Sequence, residues 1–379
     1  MNLNKLLSMT KKSTLLGAGP MSKNCVDAAI NLANEYKSPI ILIASRRQIE
    51  CEEFGGGYVN NWSTEKFSHY VKSKDKNKKI FLARDHGGPW QGSFEDYYNL
   101  RKSMKVAKKS FEVDIDSNFN FLHIDTSIQP NSKVSLKKSL ERFYELFEHC
   151  IYYSKKKNKN IMFEIGTEEQ SGSTNTPEEL EYTLNQIKKY CKKNNFKMPA
   201  FVVIQSGTKV AEMRNIGSFE SPLRIENEIA VEVQLPKMIE ICKKYGILMK
   251  EHNADYLSNH SLSLHPKLNI HAANIAPEFG VTETKSILNL MRKSNLKKLE
   301  KNFLDLSYKS KKWKKWILPK SGISKTDKSI LSAHYIFSKK EFINIKKELN
   351  ARLHIDIDRI LKGEIKKSIL RYLRNFKLI

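Results

Sequence analysis

The sequence predicts an α/β protein built as a parallel barrel, and three observations support this prediction. Short apolar runs alternate with longer amphipathic segments eight times over roughly 280 residues. Nearly every apolar run ends in polar or ionisable residues. The first run is followed by Gly17-Ala18-Gly19-Pro20, which does not extend into the GxGxxG turn of a doubly wound sheet. The number of strand-and-helix units and the length of chain that they occupy therefore favour a (β/α)8, or TIM, barrel.

The elements follow one another along the chain in regular order. Each strand is predicted from a short apolar run bounded by turn residues, at 13–19, 39–44, 79–84, 119–124, 160–165, 199–204, 247–250 and 268–272. Each helix is predicted from apolar residues at helical spacing, at 24–36, 64–72, 94–108, 135–155, 176–193 and 236–245. Thr176-Pro177-Glu178-Glu179 has the residue types that begin a helix.

The last quarter of the chain has a different composition. It is rich in lysine, it follows a helical pattern, and it contains the aromatic residues Trp313 and Trp316. We therefore predict two parts, a barrel over residues 1–291 that carries the active site and a helical C-terminal extension over residues 292–379 that packs on it. We interpret the lysines of the extension as a solvated face.

Composition narrows the class of protein. The 379 residues are 40% hydrophobic, which is sufficient for a full core, and no apolar run approaches the ~20 residues that span a bilayer. The five cysteines are scattered without a CxxC, as in reduced cytoplasmic proteins. The net charge of +25 lies mainly on predicted outer helix faces, and no nucleic-acid module is readable. We expect a cytoplasmic protein without a membrane or nucleic-acid partner.

The residues at the strand ends predict an active site. Carboxyl ends of parallel barrel strands share one face, so side chains that follow them converge. Six strands in succession carry polar groups there, namely Asp85-His86, His123 to Ser127, Glu164 to Glu169, Gln205 to Thr208, Glu251 to Tyr256 and His271 to Asn274.

Two imidazoles and a carboxylate suffice to bind a catalytic divalent metal. His86, His252 and Glu164 are the candidate ligands, and Gln205 is a weaker fourth ligand without charge. Such a metal would polarise a substrate carbonyl and stabilise an enediolate.

Proton transfer requires further groups beside the metal. Asp85 is suited to general acid/base catalysis, and Glu168 lies on a Gly/Ser/Thr-rich loop that would bring a second proton carrier over the substrate. His123 alternates with apolar neighbours, so we interpret it as structural. Lys250 suggests a Schiff-base alternative, although it is one of many lysines.

The remaining polar groups at the strand ends are assigned to substrate binding. Ser206, Gly207 and Thr208 offer hydroxyl and backbone donors to a phosphate. The other candidates share a position directly after a predicted strand, and they are Asp125, Ser127, Asp255 and Asn274.

The motifs RDHGGP, HIDTS, EIGTE, QSGT and EHNADY, in this order, resemble the Z-type, so-called non-catalytic subunit family of tagatose-1,6-bisphosphate aldolase. Glu53 to Tyr58 also resembles that family's second-strand loop. The resemblance covers roughly Ser13 to Gly280 and carries a distant similarity to the zinc-dependent class II aldolases.

The resemblance implies a (β/α)8 fold and a divalent metal, with zinc first and manganese or another divalent ion as alternatives. It implies Asp85 as the proton-transfer group, His86 and His252 as ligands, Glu164 as a nearby coordinating carboxylate and Glu168 as the loop acid. One departure is that Gln205 stands where those aldolases have a third histidine. The pairs Arg46-Arg47 and Arg84-Asp85 also depart from the pattern and suggest a different sugar.

Two functions are compatible with this resemblance. The first is a metal-dependent enzyme that epimerises a ketohexose phosphate at C4, by retro-aldol cleavage and re-addition, or cleaves it, with tagatose 6-phosphate or tagatose 1,6-bisphosphate as examples. The alternative is a non-catalytic subunit that stabilises a separate catalytic aldolase subunit. A homo-oligomer is a further expectation. Because the ionisable set is complete, we favour the enzyme.

Overall fold

The computed structural model describes residues 1–93, 95, 99–132, 134–166, 176–205, 208–219, 221, 224 and 229–379. Eight parallel strands form a closed barrel in the order β1-β10-β9-β6-β5-β4-β3-β2. They are β1 (Leu15–Ala18), β2 (Ile40–Ser45), β3 (Ile80–Gly87), β4 (Phe121–Asp125), β5 (Met162–Gly166), β6 (Phe201–Ile204), β9 (Leu248–Glu251) and β10 (Ala272–Ile275). The predicted (β/α)8 barrel is confirmed.

Helices surround the barrel and continue into the C-terminal part. They are α1 (Leu3–Met9), α2 (Lys23–Tyr36), α3 (Thr64–Lys74), α4 (Leu100–Asp116), α5 (Leu136–Lys156), α6 (Pro177–Lys193), α7 (Val231–Tyr245), α8 (Asn259–Leu264), α9 (Pro277–Lys293), α10 (Lys297–Lys309), α11 (Lys325–Ser332), α12 (Lys340–Leu353) and α13 (Ile357–Asn375). The helix start predicted at Thr176 is a capping box that Thr176 forms with Glu179. No helix in the described part of the chain is long and apolar enough to cross a membrane.

The structure differs from the predicted elements at several places, and helices α1 and α8 were not predicted. The eighth barrel strand begins at Ala272 rather than at residue 268, so His271 precedes the strand instead of ending it. Helix α4 begins at Leu100, where Asn99 caps it, and α7 begins at Val231 and accommodates Pro236. An unpredicted hairpin, β7 (Lys209–Ala211) and β8 (Arg214–Ile216), follows the sixth barrel strand. Its turn residues Glu212 and Met213 are left-handed, a conformation that their residue types do not indicate.

Two apolar clusters form the core. The larger cluster fills the barrel and the space beneath its helices, and α13 contributes Ile365, Ile369, Tyr372 and Leu373 to it. The smaller cluster joins α9 to α10, α11, α12 and the start of α13. The final helix therefore packs into both clusters. Phe376 accepts a hydrogen bond at its carbonyl oxygen from the amide of Thr14, directly before β1.

Candidate active site

Asp85 lies between three imidazoles at the carboxyl end of the barrel. Its carboxylate oxygens are 3.7 Å from His86 Nε2, 3.4 Å from His123 Nδ1 and 3.7 Å from His252 Nε2. Burial acts to raise the pKa of Asp85, but the three histidines outweigh it and hold this pKa well below its usual range. The Nδ2 of Asn274 donates to the same carboxylate over 3.3 Å. Asp85 is therefore ionised at neutral pH.

Strand alternation explains the placement of these groups. Asp85 faces the barrel mouth, whereas its neighbour Arg84 points outward and pairs with Asp114 of α4 over 2.6 Å. The β3 strand then shifts register against β4 between Arg84 and Gly87, and His86 adopts a left-handed φ of 47°. Such a backbone costs energy, of the order of 1 kcal/mol, and recurs at functional sites.

A second carboxylate fixes His86. Asp125 accepts from His86 Nδ1 over 2.6 Å and from Gln91 Nε2 over 2.9 Å. The hydroxyl and amide of Ser127 also donate to Asp125. Burial would raise the pKa of Asp125, yet His86, the charge of His123 and the Ser127 hydroxyl lower this pKa to about 2. Asp125 therefore holds the His86 ring, and Ser127 is bonded to Asp125; substrate binding by either residue stays a prediction.

His123, which the sequence analysis interpreted as structural, lies beside Asp85 and His252. Its side chain is fully buried in β4, and Asp85, His123 and His252 each offer a ligand atom within 4.8 Å of the others. Gly166 of β5 makes room for this ring, since a Cβ there would lie 2.0 Å from His123 Nε2. The spacing of Phe121, His123 and Asp125 places all three on one face of β4, and this signal could have identified His123.

The chemistry of this set fits a divalent metal. His123 Nδ1 faces the Asp85 carboxylate over 3.4 Å and accepts from the amide of His86 over 3.2 Å, whereas its Nε2 is buried beside Gly166 and has no hydrogen-bond partner within the described residues. An ionised carboxylate and two imidazoles are the donor types that a zinc-like ion prefers. The described residues thus contain a three-residue set, Asp85, His123 and His252, that could hold a metal.

Glu164 and Gln205 have other partners. Both oxygens of Glu164 accept from Lys250 Nζ, over 3.0 and 2.9 Å, and each side chain of this ion pair is 1% exposed. Gln205 donates through Nε2 to the carbonyl of Thr208 over 3.0 Å. Their predicted roles as metal ligands stay predictions. Because Lys250 is bonded to Glu164 below the site, the geometry does not favour the Schiff-base alternative.

The cluster opens into a cavity of about 500 Å³. Six residues predicted for the site line it, namely Asp85, His86, Gln205, His252, Asp255 and Asn274. Asp255 also accepts at Oδ1 from the amides of Ala276 and Glu278, and burial followed by the charge of Glu278 raises its pKa to about 8. Glu168, Ser206 and Gly207 lie outside the described residues.

Among the arginines that departed from the family pattern, Arg46 and Arg84 form buried ion pairs. Arg46 is buried and pairs with Glu50 over 2.6 Å and with Glu95 over 2.5 Å, and Arg84 pairs with Asp114. Arg47, in contrast, lines the cavity. The C-terminal extension adds three lining residues that the sequence did not indicate, Lys315, Trp316 and Tyr335.

A (β/α)8 barrel with a histidine and carboxylate cluster at the carboxyl ends of its strands is the class that fold and site define. In its fold, the chain is similar to a probable tagatose 6 phosphate kinase from Sinorhizobium meliloti 1021, with a TM-score of 0.70 and 14% identity over 96% of this chain and 100% of that one. It is similar to fructose-bisphosphate aldolase from Campylobacter jejuni, with a TM-score of 0.57 and 12% identity over 100% and 94%.

A third solved structure of this kind is the fructuronate-tagaturonate epimerase UxaE from Cohnella laeviribosi, with a TM-score of 0.57 and 10% identity over 99% of this chain and 84% of that one. No protein-family model matches the chain, and no curated protein matches it. The predicted resemblance to aldolase-type and epimerase-type barrels is therefore confirmed at the level of the fold, which is what identities of 10–14% can establish.

Proposed function

We propose that the protein is a metal-dependent enzyme that epimerises or cleaves a ketohexose phosphate by breaking and re-forming a carbon–carbon bond. The observation that carries this proposal is Asp85, an ionised carboxylate within 3.7 Å of three imidazoles at the floor of a cavity. Fold neighbours that include an aldolase and an epimerase support the same chemistry.

Each residue has a defined task in this proposal. His123 and His252 hold the metal, with His86 beside them, and Asp125 keeps the His86 ring in one orientation. A divalent metal at this position supplies the Lewis acid that polarises the substrate carbonyl. Asp85 carries the proton to and from the sugar hydroxyl whose carbon–carbon bond breaks, because it is ionised and faces the cavity. Asn274 positions the Asp85 carboxylate through its 3.3 Å hydrogen bond.

Glu168 is proposed as the second proton carrier, on the sequence evidence alone. Zinc is the first expectation for the metal and manganese the second. Tagatose 6-phosphate is the first substrate to test.

Metal content and turnover, measured together on single variants, test the proposal. We expect near-stoichiometric metal in the wild-type protein, loss of metal in His123→Ala and His252→Ala, and retained metal with at least about a hundredfold lower turnover in Asp85→Asn. Lys314→Gln, on the exposed surface, is the matched control.

The outcomes separate the alternatives. Loss of metal in Asp85→Asn would reassign Asp85 as a ligand. Wild-type protein that takes up no metal and turns over no ketohexose phosphate would overturn the proposal in favour of the stabilising-subunit function.

A further inference from the structure

The segment of the C-terminal extension from residue 312 to residue 338 spans the barrel mouth. At one side, the amide of Glu212 in the β7–β8 turn donates to the carbonyl of Trp316 over 2.8 Å. At the other side, the hydroxyl of Ser338 donates over 2.7 Å to the carbonyl of Tyr58, in the loop after β2. The segment is therefore attached to barrel loops on both sides of the cavity.

This attachment places Lys315 on the cavity wall. Its ammonium lies 4.5 Å from the centroid of the Trp316 ring and 5.3 Å from that of Tyr335, and all three residues line the cavity. The Tyr335 ring in turn packs against Tyr58, with ring centroids 4.8 Å apart. Cation–π contacts of this kind hold an ammonium group in place without neutralising its charge.

Arg47 adds a second cation to the same cavity. Both Arg47 and Lys315 keep an exposed surface, and neither has a carboxylate partner in the part of the chain that the structure describes. The preceding residue, Arg46, pairs with two glutamates instead. Surrounding protein, and then the charge of Arg47, lower the pKa of Lys315 to about 8. An anion that contacts both Arg47 and Lys315 would reduce the repulsion between their positive charges.

We propose that Arg47 and Lys315 bind the phosphate monoester group of the substrate, so that the C-terminal extension completes the substrate-binding site. This inference rests on the proposed function, because it names the charged group of the same sugar. Two cations balance a phosphate dianion, whereas the single charge of a carboxylate would leave one cation uncompensated. The guanidinium of Arg47 suits the planar, two-point recognition of phosphate oxygens.

Calorimetric binding of glycerol 3-phosphate, glycerate and glycerol to the full-length protein tests this inference, in the presence of a metal chelator. We expect binding of glycerol 3-phosphate alone, and an affinity lower by roughly tenfold or more in Lys315→Gln and in Arg47→Gln. Lys314→Gln is the control, because Lys314 is an exposed lysine of the same segment that does not line the cavity. Its affinity should equal that of the wild-type protein.

Equal affinities in Lys315→Gln and Lys314→Gln would overturn the inference, as would preferential binding of glycerate. Because the assay needs neither metal nor turnover, its result is independent of the proposed reaction. An inactive protein that still binds glycerol 3-phosphate through Lys315 would refute the reaction and retain the phosphate site. An active protein whose KM does not change in Lys315→Gln would support the reaction and refute the phosphate site.

Discussion

At the scale of single residues, the barrel wall separates the side chains that face the cavity from those that form buried ion pairs on the outside of the barrel. Arg84 and Asp85 are neighbours in β3, yet Arg84 is buried against Asp114 on the outside and Asp85 lies in the cavity. The same separation applies along the barrel axis. The Glu164–Lys250 ion pair fills the interior, whereas His252, two residues after Lys250, reaches the cavity. The role of a charged residue in this fold therefore depends on the partner with which it pairs.

The buried Glu164–Lys250 pair yields a prediction about stability. Glu164→Gln leaves the Lys250 ammonium buried without a counter-charge, so we expect a loss of about 3–5 kcal/mol in the free energy of unfolding. Urea denaturation in the presence of a chelator measures it. The matched control is Glu181→Gln, which breaks the solvent-exposed pair with Lys244 and should cost at most about 1 kcal/mol. Equal losses in the two variants would contradict this account.

At the scale of elements, the β7–β8 hairpin holds the extension over the cavity. Besides the backbone contact with Trp316, the Glu212 carboxylate accepts from the amide of Leu318 over 3.1 Å. The turn of the hairpin requires a left-handed backbone at Glu212, with φ of 53°, a conformation that Gly and Asn adopt more readily than Glu. The strained turn and the position of Lys315 are thus linked.

Glu212→Asn tests this link. Asparagine tolerates the left-handed backbone, but its shorter side chain does not reach Leu318, so one charge-assisted hydrogen bond of about 1.5 kcal/mol is lost. We expect roughly tenfold faster tryptic cleavage within residues 311–320, with little change in the overall melting temperature. Arg214→Gln, which leaves the contact between Glu212 and Leu318 intact, should keep the wild-type cleavage rate. Identical rates in both variants would show that this contact does not hold the segment.

At the scale of the whole molecule, α13 joins the extension to the barrel. It packs against α2 and α9, and six of its residues are buried, namely Ile357, Leu361, Ile365, Ile369, Tyr372 and Leu373. Burial of one large apolar side chain stabilises a fold by roughly 1.5–3 kcal/mol. Six such side chains together match the entire stability of a typical domain, about 5–15 kcal/mol.

Removal of residues 356–379 should therefore abolish cooperative folding of the barrel. We expect aggregated protein, or protein that binds a hydrophobic dye and shows no melting transition in calorimetry. Lys367→Gln in the full-length chain changes only the exposed face of α13 and should melt as the wild-type protein does. A truncated chain that melts cooperatively would show that the barrel folds without α13.

Sequence reasoning was effective where the signal was local and repeated. The first seven barrel strands, β1 to β6 and β9, lie where short apolar runs predicted them, and Asp85, His86, His252 and Asn274 reach one cavity because they follow or end parallel strands. It was less effective for the eighth barrel strand, where the apolar residues Leu268 and Ile270 precede the strand, and the apolar neighbours of His123 did not indicate that it lies beside Asp85 and His252.

The sequence by itself determined the barrel and the end of the barrel at which its polar residues gather. Both follow from local signals, because each strand is specified by residues that are adjacent in the chain. Only the tertiary structure decided which charges are neutralised. It paired Arg46, Arg84, Asp125 and Glu164 with partners elsewhere in the chain, and it left Arg47 and Lys315 facing one cavity from positions 268 residues apart. Electrostatic pairing depends on distance in space, and distance along the chain does not reveal it.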